Sequence, residues 1–367
     1  MGIHTGRVVV PFAATVLVLV TAASPAAGQS DIADRQRVRP YLAVVADCRS
    51  GRLNAAVSQT LELPDLEATL AALKPLEPGI VSSAATSEDI EWRDVDAAIL
   101  LHTATAAVAS ESGRPASTAQ HLRAALMLVD WREAVDAARA RQGDPPIAPA
   151  MNRRDWHLAT ILTFTRFREL GRISVLADAA ARRYPRDADI QMAAGAVDEL
   201  RVGFDPGTST RLLLFSAADR YRAAVEANPA SYEAVLRLGR VRTLQGQHDA
   251  GASRFDAVLK ADADVRLRYL AHLFLGAEME RRGRPADAIA HYQAAVSSLP
   301  DTQSARTALA FALAQARRAD EARAVAEAGL RPGLPREPLD DPFWAYQFGP
   351  AIAPQSIFLE LFKAVAR

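Results

Sequence analysis

Seven histidines, one cysteine and a few acidic pairs are the residues of this 367-residue chain whose types suit chemistry. The histidines are His4, His102, His121, His157, His248, His272 and His291. None forms a His-x-x-x-His or Cys/His pair at metal-ligand spacing. Cys48 stands alone, so it closes no internal disulfide. It follows the run YLAVVAD and suits a small buried side chain better than a reactive thiol, which needs a basic, partly exposed setting. The acid pairs Asp340-Asp341 and Glu278/Glu280 are of a kind common on helices and loops, and are weak evidence for carboxylate catalysis. No Gly-rich phosphate loop, Gly-x-Ser-x-Gly elbow or Cys-x-x-Cys-His haem attachment occurs. Catalytic residues, metal ligands and cofactors are therefore not expected, and the chemistry left is recognition.

The elements that would carry recognition are helices. Hydrophobic residues make up 50% of the chain and aromatics only 6%. No stretch reads clearly as a strand between turns, so the fold class expected is all-α. Residues 269–302 are the most informative segment. Leu275-Gly276 lies in a first helix, Gly283 at a turn, Ala288, Tyr292 and Ala295 along a second helix, and Pro300 closes the unit. Ala217, Tyr221, Ala224 and Pro229 repeat the second-helix spacing of 4, 3 and 5 residues. A third copy has Leu238-Gly239, Gly246, Gly251, Phe255 and Val258, with a few extra residues expected around 261–266. Leu309-Ala310 and Ala322 fit a last, decayed copy.

This order and spacing resemble the tetratricopeptide repeat, a 34-residue helix-turn-helix unit. The resemblance implies a right-handed α-solenoid of antiparallel helix pairs, in which first helices line a concave groove that takes up protein or peptide partners. Small residues let the two helices of a unit approach, and the aromatic at 221, 255 or 292 is expected to fill the wedge toward the next unit. Carried over by position, the groove would present Leu236, Arg240, Thr243 and Leu244, then Leu273, Ala277, Glu280 and Arg281, then Thr307, Phe311, Ala314 and Gln315. The Lys, Asn and Arg set of the family's peptide-carboxylate clamp is not present at these positions. His272 and His291 fall where they could approach each other.

Around this array the chain divides into four stretches. Residues 1–28 have the three-part form of a secretory signal: a basic start with His4 and Arg7, the apolar run VVVPFAATVLVLV, then TAASPAAG. Cleavage is expected near Gly28, with Ala26 the alternative, giving a periplasmic or secreted protein that is membrane-anchored if uncleaved. No later run approaches the length of a membrane span. Residues 29–148 read as degenerate helical repeats, with Gly171 expected at the turn of the pair that follows. Residues 149–335 read as the tetratricopeptide-like array. Residues 336–367 hold Phe343, Trp344 and Tyr346 before a short amphipathic helix, and read as a cap over the last repeat or as an interaction motif.

With 43 basic and 43 acidic residues the net charge is zero, which argues against a nucleic-acid partner. The function expected is a non-catalytic scaffold or adaptor of the bacterial cell envelope. The alternatives are an envelope enzyme with a site in the N-terminal helices and a structural protein that associates with copies of itself.

Overall fold

The computed structural model describes residues 56, 59, 60, 92–143, 151–202, 209–329 and 341–366. The signal segment, Cys48 and Asp340 lie outside the described residues. Among the described residues, six helix pairs follow one another from Trp92. They are α1 (Trp92–Glu111) with α2 (Pro115–Gln142), α3 (Arg153–Arg166) with α4 (Leu170–Arg183), and α5 (Ala188–Arg201) with α6 (Thr210–Ala227). Then come α7 (Tyr232–Leu244) with α8 (His248–Lys260), α9 (Val265–Arg281) with α10 (Pro285–Ser298), and α11 (Gln303–Gln315) with α12 (Ala319–Gly329). Two further helices, α13 (Pro342–Tyr346) and α14 (Pro354–Ala366), complete the chain. From α3 to α12 each helix packs on the next along the chain, and no strand occurs among the described residues. The fold is an all-α solenoid.

One local device makes the pairs alike. At the end of α9, Gly283 adopts a positive φ, its N–H donates to the carbonyl of Glu280, and the next N–H, of Arg284, donates to Met279 at 2.9 Å. This Schellman arrangement satisfies carbonyls that a helix end otherwise leaves open. The same two bonds recur at Gly113 and Gly246, and also at Arg168 and Arg317, both with positive φ. The turn of α3/α4 is thus made by Arg168, and Gly171, where the sequence places it, lies inside α4. The residues inserted before the fifth pair are absorbed by an early start of α9, whose N-terminus is capped by the Asp264 side chain accepting from Leu267.

The second device is close approach. A Cβ on Gly276 would overlap the Tyr292 ring, and Gly195 with Tyr221 and Gly239 with Phe255 repeat the contact, each at 2.8 Å from an added Cβ. The aromatic therefore lies on the glycine of its own unit. In the fourth pair it also reaches the next, because Phe255 meets Phe274 of α9 at 5.3 Å between ring centroids. Tyr221, Phe255 and Tyr292 are all buried.

Among the described residues of the C-terminal stretch the main helix contacts are not with the last pair, and no residue of α12 is buried. Instead α13 packs on α9, and α14 packs far back on α3 and α1, where Leu361 joins the core of the first two pairs. Along this path Tyr346 and Leu361 enter apolar cores, and Asp341 and the carbonyls of Tyr346 and Gly349 meet buried polar groups.

The glycine contact gives a paired test. Gly276→Ala should destabilise the fold by about 1–3 kcal/mol through overpacking against the held Tyr292 ring. Gly171→Ala meets open space and should hold or raise stability by up to about 1 kcal/mol. Thermal melts of both variants check the contrast.

Candidate functional site

The candidate site is the face formed by the first helices of successive pairs, because the chain's own C-terminal segment lies along it. Asp341 accepts from the Tyr269 hydroxyl of α9 at 3.0 Å and from the backbone N–H of Ser304 in α11 at 2.9 Å. It also caps α13 through the N–H of Phe343. Phe343 and Tyr346 meet Phe274 edge-on at 6.4 and 5.6 Å. Further along, Ala351 donates to Glu233 of α7, and Arg166 of α3 donates to the carbonyl of Ile352 at 3.0 Å. The Arg168 guanidinium sits 4.8 Å over Phe348. The segment therefore runs from α11 back to α3.

At the centre of this path lies a buried charged cluster. Arg237 of α7 is fully enclosed. It donates to Glu233 at 3.0 Å, to Glu199 of α5 at 3.3 Å, and to the backbone carbonyls of Tyr346 and Gly349 at 3.3 and 2.7 Å. Its guanidinium also covers the Tyr346 ring at 4.0 Å. Glu199 accepts two phenols, Tyr221 at 2.6 Å and Tyr346 at 2.5 Å. Burial, then the adjacent Glu199 charge, pushes both phenols well above their ordinary pKa, so they stay protonated donors. For Arg237 burial alone favours the neutral form, but the negative charge gathered around it, carried by Glu233 and Glu199 while the phenols are protonated, outweighs burial and holds its pKa well above the usual arginine value. A guanidinium has five N–H donors in a rigid fork, which suits this mixture of carboxylates and backbone carbonyls.

The residues carried over from the repeat frame are distributed differently. Arg240 is half-buried, lies 5.4 Å over Phe274 and so supports the ring that receives the segment. Thr243 is buried and returns its hydroxyl to the carbonyl of Arg240, and Leu273 is buried in the core. Leu244 is 43% exposed, Phe311 is 58% exposed, and Gln315 is exposed. Glu280 accepts the Tyr292 hydroxyl at 3.0 Å across its own pair. Arg281 turns toward α8, donating to His248 and to Glu278. Of the tail aromatics, Tyr346 is buried, Phe343 half-buried, and Trp344 49% exposed against the edge of Phe343.

Sequence reasoning missed Arg237, Glu199, Glu233, Tyr269 and Phe274. A signal was present: Arg237 interrupts the apolar run AVLRLG, and Arg237 and Phe274 both stand two residues before the small residue pairs Gly239 and Gly276. A second signal links Glu to Tyr. Tyr221 and Tyr292 each bond a glutamate of their own first helix, Glu199 and Glu280. Where the aromatic is Phe255, the matching first-helix residue is Thr243.

Two histidine pairs lie across helices at matching places. His272 and His291 approach at 3.2 Å between Nδ1 atoms, and His102 and His121 at 3.1 Å. Each pair is separated by 19 residues, and each unit carries Gly-Arg-Pro-Ala at its turn, 113–116 and 283–286. The first helix pair thus repeats the fifth. No group of three or more metal-ligating side chains occurs among the described residues.

No protein-family model matches the chain, and no curated protein matches it. Solved structures do. The crystal structure of MamA is 17% identical, with 44% of this chain and 86% of that one covered and a TM-score of 0.37. PilF of Pseudomonas aeruginosa is 17% identical over 53% of this chain and 88% of its own, with a TM-score of 0.42. Human IFIT1, solved as a dimer with PPP-AAAA, is 15% identical over 77% and 68%, with a TM-score of 0.37. None reaches a TM-score of 0.5, so the assignment stands on the recurring turn and helix contact. The fold is tetratricopeptide-like.

Two measurements probe these buried groups. Arg237→Met removes the counter-charge of Glu199 and Glu233 and should cost about 3–5 kcal/mol in chemical denaturation. Tyr346→Phe removes one hydrogen bond to a charged acceptor and should cost about 1.5–3 kcal/mol. Separately, burial lowers the pKa of His102 to about 3, aided by His121, and that of His121 to about 4. The native state then binds fewer protons than the unfolded chain below pH 6.5. Stability is complete above that value and falls as pH drops toward 4, by up to about 1.4 kcal/mol per unit for each histidine. Melting temperature against pH should show this loss, and a His102→Gln, His121→Gln double variant should flatten it.

Proposed function

We propose that this protein is a non-catalytic scaffold of the bacterial cell envelope, exported by residues 1–28 and recruiting a protein partner through the first-helix face. One observation carries the reading: that face already holds a polypeptide, with Arg237 donating to two of its backbone carbonyls and Phe274 meeting two of its aromatic rings. Backbone carbonyls belong to any peptide, whereas rings and a phenol select among peptides. Exposed Leu244 and Phe311 supply apolar area on the same helices for a partner to cover. The export part rests on the basic, apolar and small-residue succession of residues 1–28.

The test uses the mature chain as bait in envelope extract. A specific protein should be captured by the wild type and lost with Phe311→Asp together with Leu244→Asp, both at exposed positions, with an unchanged circular dichroism spectrum as the check on folding. Equal capture by the double variant would remove the face as the docking surface. Capture of nothing, with concentration-dependent oligomers instead, would favour self-assembly. N-terminal sequencing of the cellular protein should begin at Gln29 or Ala27, and a mature chain beginning at Met1 in the cytosol would overturn export.

A further inference from the structure

The segment Asp341–Gly349 is held as a peptide ligand is held. Arg237 holds its backbone at the carbonyls of Tyr346 and Gly349, and within 341–346 the side-chain contacts are concentrated on three residues at fixed spacing. Asp341 bridges α9 and α11 through the Tyr269 hydroxyl and the Ser304 N–H. Phe343 meets Phe274, and Tyr346 places its ring under Arg237 and its hydroxyl on Glu199. The residues between contribute less: Trp344 is half exposed, and Ala345 makes no hydrogen bond to the array. This division into anchors and spacers is the pattern of motif recognition, in which a few buried groups carry the selectivity.

We propose that the first-helix face reads an acid-x-aromatic-x-x-tyrosine segment, that residues 341–346 occupy it in cis, and that the partner is another protein presenting a segment of the same chemistry. The proposal rests on the scaffold reading above and specifies the chemistry of its ligand. The partner is a different protein for a physical reason. A tail attached both to α12 and, through α14, to α3 is present at high effective concentration on its own array. A second copy's tail offers the same anchors with no added contact, so it gains nothing over the resident one. A foreign segment brings flanking residues of its own, and the first helices α7 and α11 still expose Leu244 and Phe311 for them to cover. The cis segment then sets a threshold: an incoming segment sees only the fraction of molecules whose face is open, and its apparent affinity falls by that fraction.

The experiment uses the full mature chain and a fluorescent peptide of residues 339–351, LDDPFWAYQFGPA, read by anisotropy. The wild-type chain should bind it weakly. A chain carrying Tyr346→Phe loosens its own tail while leaving Glu199 and Arg237 intact, and should bind the wild-type peptide about tenfold more tightly. Asp341→Ala in the chain, at the other end of the segment, should give a gain of the same sign. Peptides carrying Asp341→Ala or Tyr346→Phe should lose binding to the loosened chains. Should the Tyr346→Phe chain fail to fold, the Asp341→Ala chain carries the test alone. Unchanged affinity in the loosened chains, or equal binding of the altered peptides, would overturn the motif. A dimer formed by the loosened chains in gel filtration would overturn the choice of a foreign partner. Absence of any captured envelope protein, with the peptide gain intact, would overturn the scaffold reading instead of the motif.

Discussion

The path of the C-terminal segment, residues 341–366, depends on one buried ion, the guanidinium of Arg237. An isolated charge enclosed by protein costs several kcal/mol of lost hydration, which only close and well-oriented partners offset. Here the partners come from three places: Glu233 one turn away, Glu199 on the preceding first helix, and two carbonyls of the C-terminal segment. The array alone supplies the counter-charge, and the tail supplies the remaining acceptors and the cover. That explains why an aromatic, proline-rich stretch follows one route across five helices instead of settling on the nearest apolar end. Tyr346 is the joint in this arrangement, since its ring, hydroxyl and carbonyl each engage a different part of the cluster.

Around that centre, repetition follows from two requirements met again and again. A first helix must end abruptly, and a second must return close against it. The positive-φ residue with its paired N–H donors meets the first requirement, and the glycine beneath an aromatic ring meets the second. The polar edge of the ring then needs a partner when buried. Tyr221 and Tyr292 find one in Glu199 and Glu280, while Phe255 needs none and faces Thr243. Glu199 differs from Glu280 in having a second phenol, Tyr346, on its other oxygen. The central cluster is thus an ordinary repeat contact extended by one residue from elsewhere in the chain.

How much of this was legible follows from which signals are local. The helix pairs, the glycine turns at Gly246 and Gly283 and the aromatic spacing are local, and they appear in the sequence as they do in the fold. Arg168 and Arg317 hid their turns, because a left-handed residue is recognisable in sequence only when it is glycine or asparagine. The first pair hid for a related reason: it has Ala106 and Leu122 where the fifth has Gly276 and Tyr292, and retains only Gly-Arg-Pro-Ala and its histidines. The groove assignment relied on a frame borrowed from arrays whose face receives a separate ligand. Here positions such as Leu236 and Leu273 serve packing, while Arg237 and Phe274, one residue further along, meet the segment. Nothing local distinguishes these cases, since the deciding contact joins residues more than a hundred positions apart.

That long contact also alters the mechanics of the solenoid. In a simple array each unit touches its neighbours only, so stability is a chain of nearest-neighbour terms and the ends fray independently. The C-terminal segment adds bonds that skip units: Asp341 to α9 and α11, Tyr346 to α5, and Ile352 to Arg166 across 186 residues. Leu361 then enters the same core as Trp156 and Leu100, joining the last helix to the first two pairs. Unfolding the N-terminal pairs therefore exposes α14, and releasing α14 frees the segment that completes the Arg237 cluster. Opening at either end weakens the other, which is the coupling that nearest-neighbour stacking lacks. A ligand replacing residues 341–346 acts on that coupling, because it must supply the carbonyls and the phenol that the buried charges already require.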